Sequence, residues 1–150
     1  IGGVSAGANL ATLLAFDEQR WQSTEYSRNR LKGVFSLAGA LNLDKMPFSL
    51  ALKQYAGSKD GTTFQKANPI NYINESDTFE LLCIHGNKDG LCSLGNATSF
   101  HEKMKDIHPN LSRLHILDKA THLDIGAGWY YHSPSERGQK EVLIEWIQKL

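Results

Sequence analysis

Apolar positions along this chain fall into short runs and helical stripes divided by polar segments. Leu10, Leu13 and Leu14 stand at helical spacing directly after the small-residue stretch "IGGVSAGANLA". Ala6, Gly7, Ala8 and Ala11 are small enough to let that helix approach a neighbouring strand closely. After a polar stretch, Val34, Phe35 and Leu37 predict a buried strand, with Gly39 at its exit. Leu81, Leu82, Cys83 and Ile84 form a continuous apolar run, the pattern of a strand covered on both faces. Ala97, Phe100, Met104 and Ile107 share one face of a further helix, which Ser93 is placed to cap and His108-Pro109-Asn110 ends. "RLHILDKATHLD" predicts another strand running into a loop. The last helix has the best start signal: Ser133 and Glu136 at capping-box spacing, with Pro134 at the first helical position. Val142, Leu143, Trp146, Ile147 and Leu150 make its broad apolar face.

Residues 44–78 lose clear period. "DKMPFSLALKQYAG" predicts a short helix, "SKDGTT" a turn and "ANPINYI" an extended segment through Pro69. Irregular chain of this kind between strands suits a cap or a substrate-facing loop, and Met46, Phe48, Leu50 and Leu52 would face either the site or the body. The order of elements is helix, strand, irregular segment, strand, helix, strand, helix. That alternation predicts an α/β fold with a mostly parallel sheet and helices on both faces. Neither a repeat nor a linker divides the chain, so residues 1–150 read as a single domain.

Composition narrows the partners. The 150 residues are 41% hydrophobic and 21% charged, as in a soluble globular protein with a sizeable core. Lys+Arg and Asp+Glu balance at 16 each and no basic stripe stands out, so nucleic acid is not an expected partner. No apolar run is long enough for a membrane span. Cys83 and Cys92 make no disulfide framework, and free buried thiols are the default. Nothing in the composition separates a cytoplasmic from a secreted location.

Gly3-Val4-Ser5-Ala6-Gly7 is a G-x-S-x-G pattern. A serine hydroxyl is a poor nucleophile; it needs a base to take its proton, and the base needs an orienting acid. In a parallel sheet, ligands sit beyond the carboxyl ends of the strands. Asp89 lies in the loop after the clearest strand, and His122 in the loop after the next one, 33 residues later. One helix plus one strand fits between them, which would put both on adjacent loops. Asp118 and Asp124 are the reserve acids, and His132, in the same long loop as His122, is the rival base. His85 belongs to a His-Gly turn and reads as structural, His115 lies within a strand, and His101 and His108 read as surface. Trp129, Tyr130 and Tyr131 would either line a substrate pocket or pack their loop onto the body. Phosphate-loop, dinucleotide and zinc signatures are absent, so neither a cofactor nor a metal is called for.

These motifs carry a resemblance. "GGVSAGANLA", "IHGNKD" and "ATHLD" resemble, in order, the nucleophile elbow, acid loop and histidine loop of the α/β-hydrolase superfamily, in its esterase and lipase branch. The resemblance implies a three-layer fold, of which this chain would be the C-terminal part from the elbow onward. It implies Ser5 as nucleophile, His122 as general base then acid, and Asp89 as the holder of the imidazole tautomer. The backbone N–H of Ala6 would form half of an oxyanion hole. The implied activity is hydrolysis of carboxylic esters with short or medium acyl groups, including acetyl or feruloyl esters of carbohydrates. An arylformamidase-like amidase and a hydrolase-fold binding protein without turnover are the alternatives. Val4 stands where the family often has His, Asp or Glu, and Asp89 is followed by Gly-Leu-Cys rather than Val-Pro. The family's Gly-rich oxyanion loop lies upstream of the elbow, so the expected partners are a small-molecule ester and the upstream half of the same fold, on this chain or a second one. Without that half, the 150 residues are expected not to fold as an active monomer.

Overall fold

Strand and helix alternate along the chain because apolar runs that bury both faces are followed by stripes that bury one. A computed structural model describes residues 1–22, 25–47, 49–127 and 138–150. Four strands, β1 (Gly2–Val4), β2 (Gly33–Leu37), β3 (Glu80–Gly86) and β4 (Ser112–Leu117), lie side by side in that order. All three pairings are parallel, with Val4 opposite Leu37, Leu37 opposite Ile84, and Ile84 opposite His115. This register brings the carboxyl ends of the strands to one edge, and the loops that leave them share one end of the molecule.

The sheet is sandwiched. On one face Leu81 and Cys83 of β3 pack with Val34 against Phe16 of α1 (Ala6–Phe16) and Phe100 and Met104 of α4 (Leu94–Ile107). On the other, Leu82 and Ile84 pack with Leu37 against Ile125 of α5 (His122–Ala127) and Leu143 and Trp146 of α6 (Gln139–Lys149). Alternate residues of β3 thus serve opposite cores, which is why its sequence is an unbroken apolar run. The architecture is the α/β one expected, with a parallel sheet and helices on both faces.

The segment between β2 and β3 holds the expected short helix, at Leu50–Ala56, and otherwise differs from expectation. It is built of short helices: a 3₁₀ turn at Leu43–Lys45, α2 (Leu50–Ala56), α3 (Thr62–Ala67) and a second 3₁₀ turn at Pro69–Tyr72. Helices of two turns or fewer are too short to print a period on the sequence. The segment through Pro69 is therefore helical rather than extended, since proline suits the first position of a turn and leaves no N–H to satisfy. Buried Asn68 ties the unit together: its Oδ1 accepts from the Leu43 N–H at 2.9 Å and its Nδ2 donates to Asp44 at 3.1 Å.

Three further expectations need correction or fall outside view. Ser93 stands at the start of α4 but does not cap it; its hydroxyl donates to the Lys45 carbonyl at 2.6 Å and ties the helix start to the Leu43–Lys45 turn. His101 and His108 are partly buried rather than surface residues, bonded to Ser112 at 2.7 Å and to the Asn74 carbonyl at 2.9 Å. The capping box of Ser133 and Glu136, with Pro134, lies outside the described residues; α6 itself starts at Gln139.

Candidate active site

The site begins where β1 turns into α1. Ser5 is the single residue between them and sits at φ +53°, a left-handed conformation unusual for a residue with a side chain. Its N–H donates to Leu37 O at 2.9 Å, closing the sheet, and its carbonyl accepts from Ala8 and Asn9 at 3.1 and 3.2 Å, opening the helix. The turn is sharp because the backbones nearly touch. A Cβ on Gly3 would lie 2.4 Å from the Gly7 carbonyl carbon, so the first glycine of the motif admits no side chain. The Ser5 hydroxyl does not cap α1 and is left to face the loops beyond the sheet.

Those loops bring an imidazole and a carboxylate. His122 Nε2 lies 2.9 Å from Ser5 Oγ, and His122 Nδ1 lies 2.7 Å from Asp89 Oδ2. A carboxylate only accepts, so Nδ1 carries the proton and Nε2 is free to accept from the serine. Asp89 is held firmly. Its side chain is fully buried, and Oδ1 accepts from the Leu91 and Cys92 N–H groups at 2.9 and 2.8 Å. His122 is 13% exposed and borders the solvent. The three residues singled out by sequence therefore meet in one line, from three separate strand ends.

Ala6 heads α1, where the first N–H groups of a helix have no intrahelical acceptor, and it is exposed beside Ser5. A cavity of about 390 Å³ opens next to them. Its wall includes Leu10, Leu43, Met46, Leu52, Tyr55 and Cys92. Met46 and Leu52 thus face the site, whereas Leu50 points to solvent at 68% exposure. Phe48, Trp129, Tyr130, Tyr131 and the rival His132 lie outside the described residues. The reserve acids are engaged elsewhere: Asp118 accepts from Asn87 at 2.8 Å, and Asp124 from the Thr121 N–H and hydroxyl at 2.7 and 2.8 Å.

Two residues have a larger part than sequence reasoning assigned. Asn9, buried in α1, donates to Ala40 O at 2.7 Å and accepts from Tyr55 OH at 2.7 Å, so it anchors both the exit of β2 and α2 to the elbow helix. A buried amide among alanines and leucines was its only sequence signal. His85 lies inside β3 rather than in a turn, is 1% exposed, and sets Nε2 2.8 Å from Cys92 O and 3.4 Å from Asp89 Oδ2. Burial pushes its imidazole below the ordinary histidine range, against the opposing pull of Cys92 O and Asp89. Cys83 and Cys92 are free thiols, both pushed up to about 12 by burial, so neither is a nucleophile near neutral pH. Among the described residues no group of three side chains is arranged to hold a metal, and no helix is long and apolar enough to cross a membrane.

Comparison with known proteins places the chain in a family and its fold among solved structures. The BD-FAE family model matches residues 1–104, more than half of the chain. Among curated protein sequences none matches significantly. The fold is similar to that of an acetyl ester-xyloside bifunctional hydrolase from Caldicellulosiruptor lactoaceticus, at a TM-score of 0.75 and 16% identity over 99% of this chain and 55% of that one. It is similar also to the thermophilic esterase Est2 of Thermogutta terrifontis (TM-score 0.66, 17% identity, 99% of this chain and 52% of that one). An acylaminoacyl peptidase from Pyrococcus horikoshii aligns at TM-score 0.65 and 18% identity, over 99% of this chain and 23% of its own. The chain thus spans about half the length of the two esterases it resembles.

Proposed function

The chain belongs to the BD-FAE family of α/β-hydrolase esterase domains, and from that premise we propose that it carries the reacting residues of a serine carboxylesterase. The observation that supports the reading most is the continuous line from Ser5 Oγ through His122 to buried Asp89, at 2.9 and 2.7 Å. Ser5 Oγ attacks the acyl carbon as its proton passes to His122 Nε2. The ester C–O bond breaks, and His122 returns that proton to the departing alcohol. Water then repeats the sequence on the acyl-enzyme, with His122 as base, and frees Ser5. Asp89 keeps the Nδ1–H tautomer and offsets the imidazolium that forms at each step. The Ala6 N–H faces the oxyanion, and a donor of that kind lowers the barrier by about 2.7–4 kcal/mol.

The apolar cavity beside Ser5 suits short or medium acyl groups. Sugar-bound acetyl esters are the first substrates to test, because one similar fold belongs to an acetyl ester-xyloside hydrolase. The test is labelling by a fluorophosphonate, read by peptide mass, together with a panel of p-nitrophenyl esters and an N-formyl arylamine. The expected result is a label on Ser5, ester turnover well above formamide turnover, and loss of both label and turnover in Ser5→Ala. Label on another residue, or no turnover of any ester when the chain is assayed together with the upstream half of the fold, would overturn the reading. Faster cleavage of the N-formyl compound would replace it with an amidase.

A further inference from the structure

We propose that His85 is a positioning residue for the acid of the triad, an N–H donor that fixes the loop holding the Asp89 carboxylate. This inference rests on the serine esterase reading above. His85 is the last residue but one of β3, and its ring reaches the loop that follows at Cys92. Its Nε2 is hydrogen-bonded to Cys92 O at 2.8 Å and lies 3.4 Å from Asp89 Oδ2, close enough for a charge contact. A carbonyl and a carboxylate both only accept, so Nε2 carries a hydrogen there.

The same oxygen, Oδ2, receives the His122 N–H at 2.7 Å. Asp89 is therefore shared by two imidazoles, one inside the core and one at the solvent edge. The Cys92 unit is engaged at both ends: its N–H donates to Asp89 Oδ1 at 2.8 Å while its carbonyl accepts from His85. This closes a ring from His85 to Cys92 to Asp89. The ring takes a loop with no regular structure and gives it one position, and that position sets where Oδ2 meets His122.

The donor must also be uncharged. A cationic imidazole beside Asp89 would take up the charge that His122 needs when it accepts the serine proton. The titratable groups facing His85 are Asp89 and His122, with the Cys92 thiol on the same loop. Burial disfavours its charged form, which keeps His85 neutral while His122 cycles. His85 is not part of the cavity wall, so its work bears on the chemical step and not on substrate binding.

The experiment compares Ser5→Ala, His85→Leu and His85→Gln in the full chain on one p-nitrophenyl ester, with kcat referred to sites titrated by a fluorophosphonate. His85→Leu removes the donor, and His85→Gln returns one of similar reach. The expected result is a kcat about 10- to 100-fold lower for His85→Leu with KM within about twofold of wild type, and recovery of most of that loss in His85→Gln. Unchanged kcat in His85→Leu, or a loss that glutamine does not recover, would overturn the positioning role. A wild-type protein with no Ser5-dependent turnover would instead sink the esterase reading on which it rests. Nitrogen-15 imidazole spectra of the wild type serve if His85→Leu does not fold. They are expected to give His85 as the neutral Nε2–H tautomer at neutral pH and above. A charged or Nδ1–H form in that range would overturn the proposal.

Discussion

Asp89, like Asp77, has a fully buried carboxylate, but the one at Asp89 is turned toward an imidazole of the site. Both oxygens accept from N–H groups, and the side chain is fully buried. Asp89→Asn keeps the shape but not the direction of one bond. Its oxygen still accepts from Leu91 and Cys92, which leaves the amide NH₂ against His122 Nδ1. That nitrogen must then accept, so Nε2 carries the proton and cannot take one from Ser5. The expected outcome is a kcat lower by on the order of 10⁴-fold. Asp118→Asn, at a carboxylate that accepts from Asn87, is expected to stay within about twofold of wild type, and steady-state kinetics on one ester reads both. Sequence made Asp89 and His122 legible because each follows a recognisable strand, and Ser5 because it stands in a G-x-S-x-G pattern; a parallel sheet sends the loops after its strands to one end. Sequence left His85 as structural in a His-Gly turn, because nothing in the sequence marks what its ring faces. Asn9 went unread for the same reason: its amide bonds cross to Ala40 and Tyr55, residues far along the chain.

Elements reach the site through backbone contacts with no room to spare. The loop carrying Asp89 leaves β3 at Gly86, and a Cβ there would stand 2.2 Å from the Ala120 carbonyl oxygen, two residues before His122. That oxygen also accepts from the Lys88 N–H at 2.9 Å, so the acid loop and the base loop are joined directly. Gly86→Ala must therefore push the two loops apart. Overpacking of this kind costs about 1–3 kcal/mol, and the displacement falls on the Asp89–His122 bond. The expected outcome is a lower thermal midpoint together with a kcat loss of about 10- to 100-fold, read by calorimetry and ester turnover. A second element is more tolerant. Leu52 of α2 lines the cavity without touching the reacting line, so Leu52→Trp is expected to raise KM for bulky acyl esters while leaving acetyl ester turnover near wild type. Such a helix was only partly legible. "DKMPFSLALKQYAG" carries a helix at Leu50–Ala56, yet with fewer than two turns no apolar stripe says which face turns inward.

Across the whole molecule, two buried thiols tie stability to pH in a way the site does not. Cys83 belongs to the core on one face of the sheet and is 1% exposed, and its thiol is pushed up to about 12 by burial. In the unfolded chain a cysteine titrates near its ordinary value of about 8.5. Between those values the folded state holds a proton that the unfolded state has lost. The slope of unfolding free energy with pH follows protons bound unfolded minus folded, which is negative here, so stability falls as pH rises. For Cys83 that slope is about 1.4 kcal/mol per pH unit above roughly pH 9, and it ends as pH passes the folded value. Cys92 adds a change of the same sign, since burial and the Asp89 charge both hold its thiol protonated. A comparison of variants isolates the thiol. Cys83→Ala leaves a small cavity, which lowers stability equally at every pH, but it removes one titrating group. Urea unfolding under reducing conditions at pH 7, 9 and 10 (about these values) is expected to give a shallower alkaline decline in Cys83→Ala than in wild type. Parallel declines in the two proteins would mean that Cys83 ionises as freely in the fold as out of it, and that the two faces of β3 are not sealed from water as their packing requires.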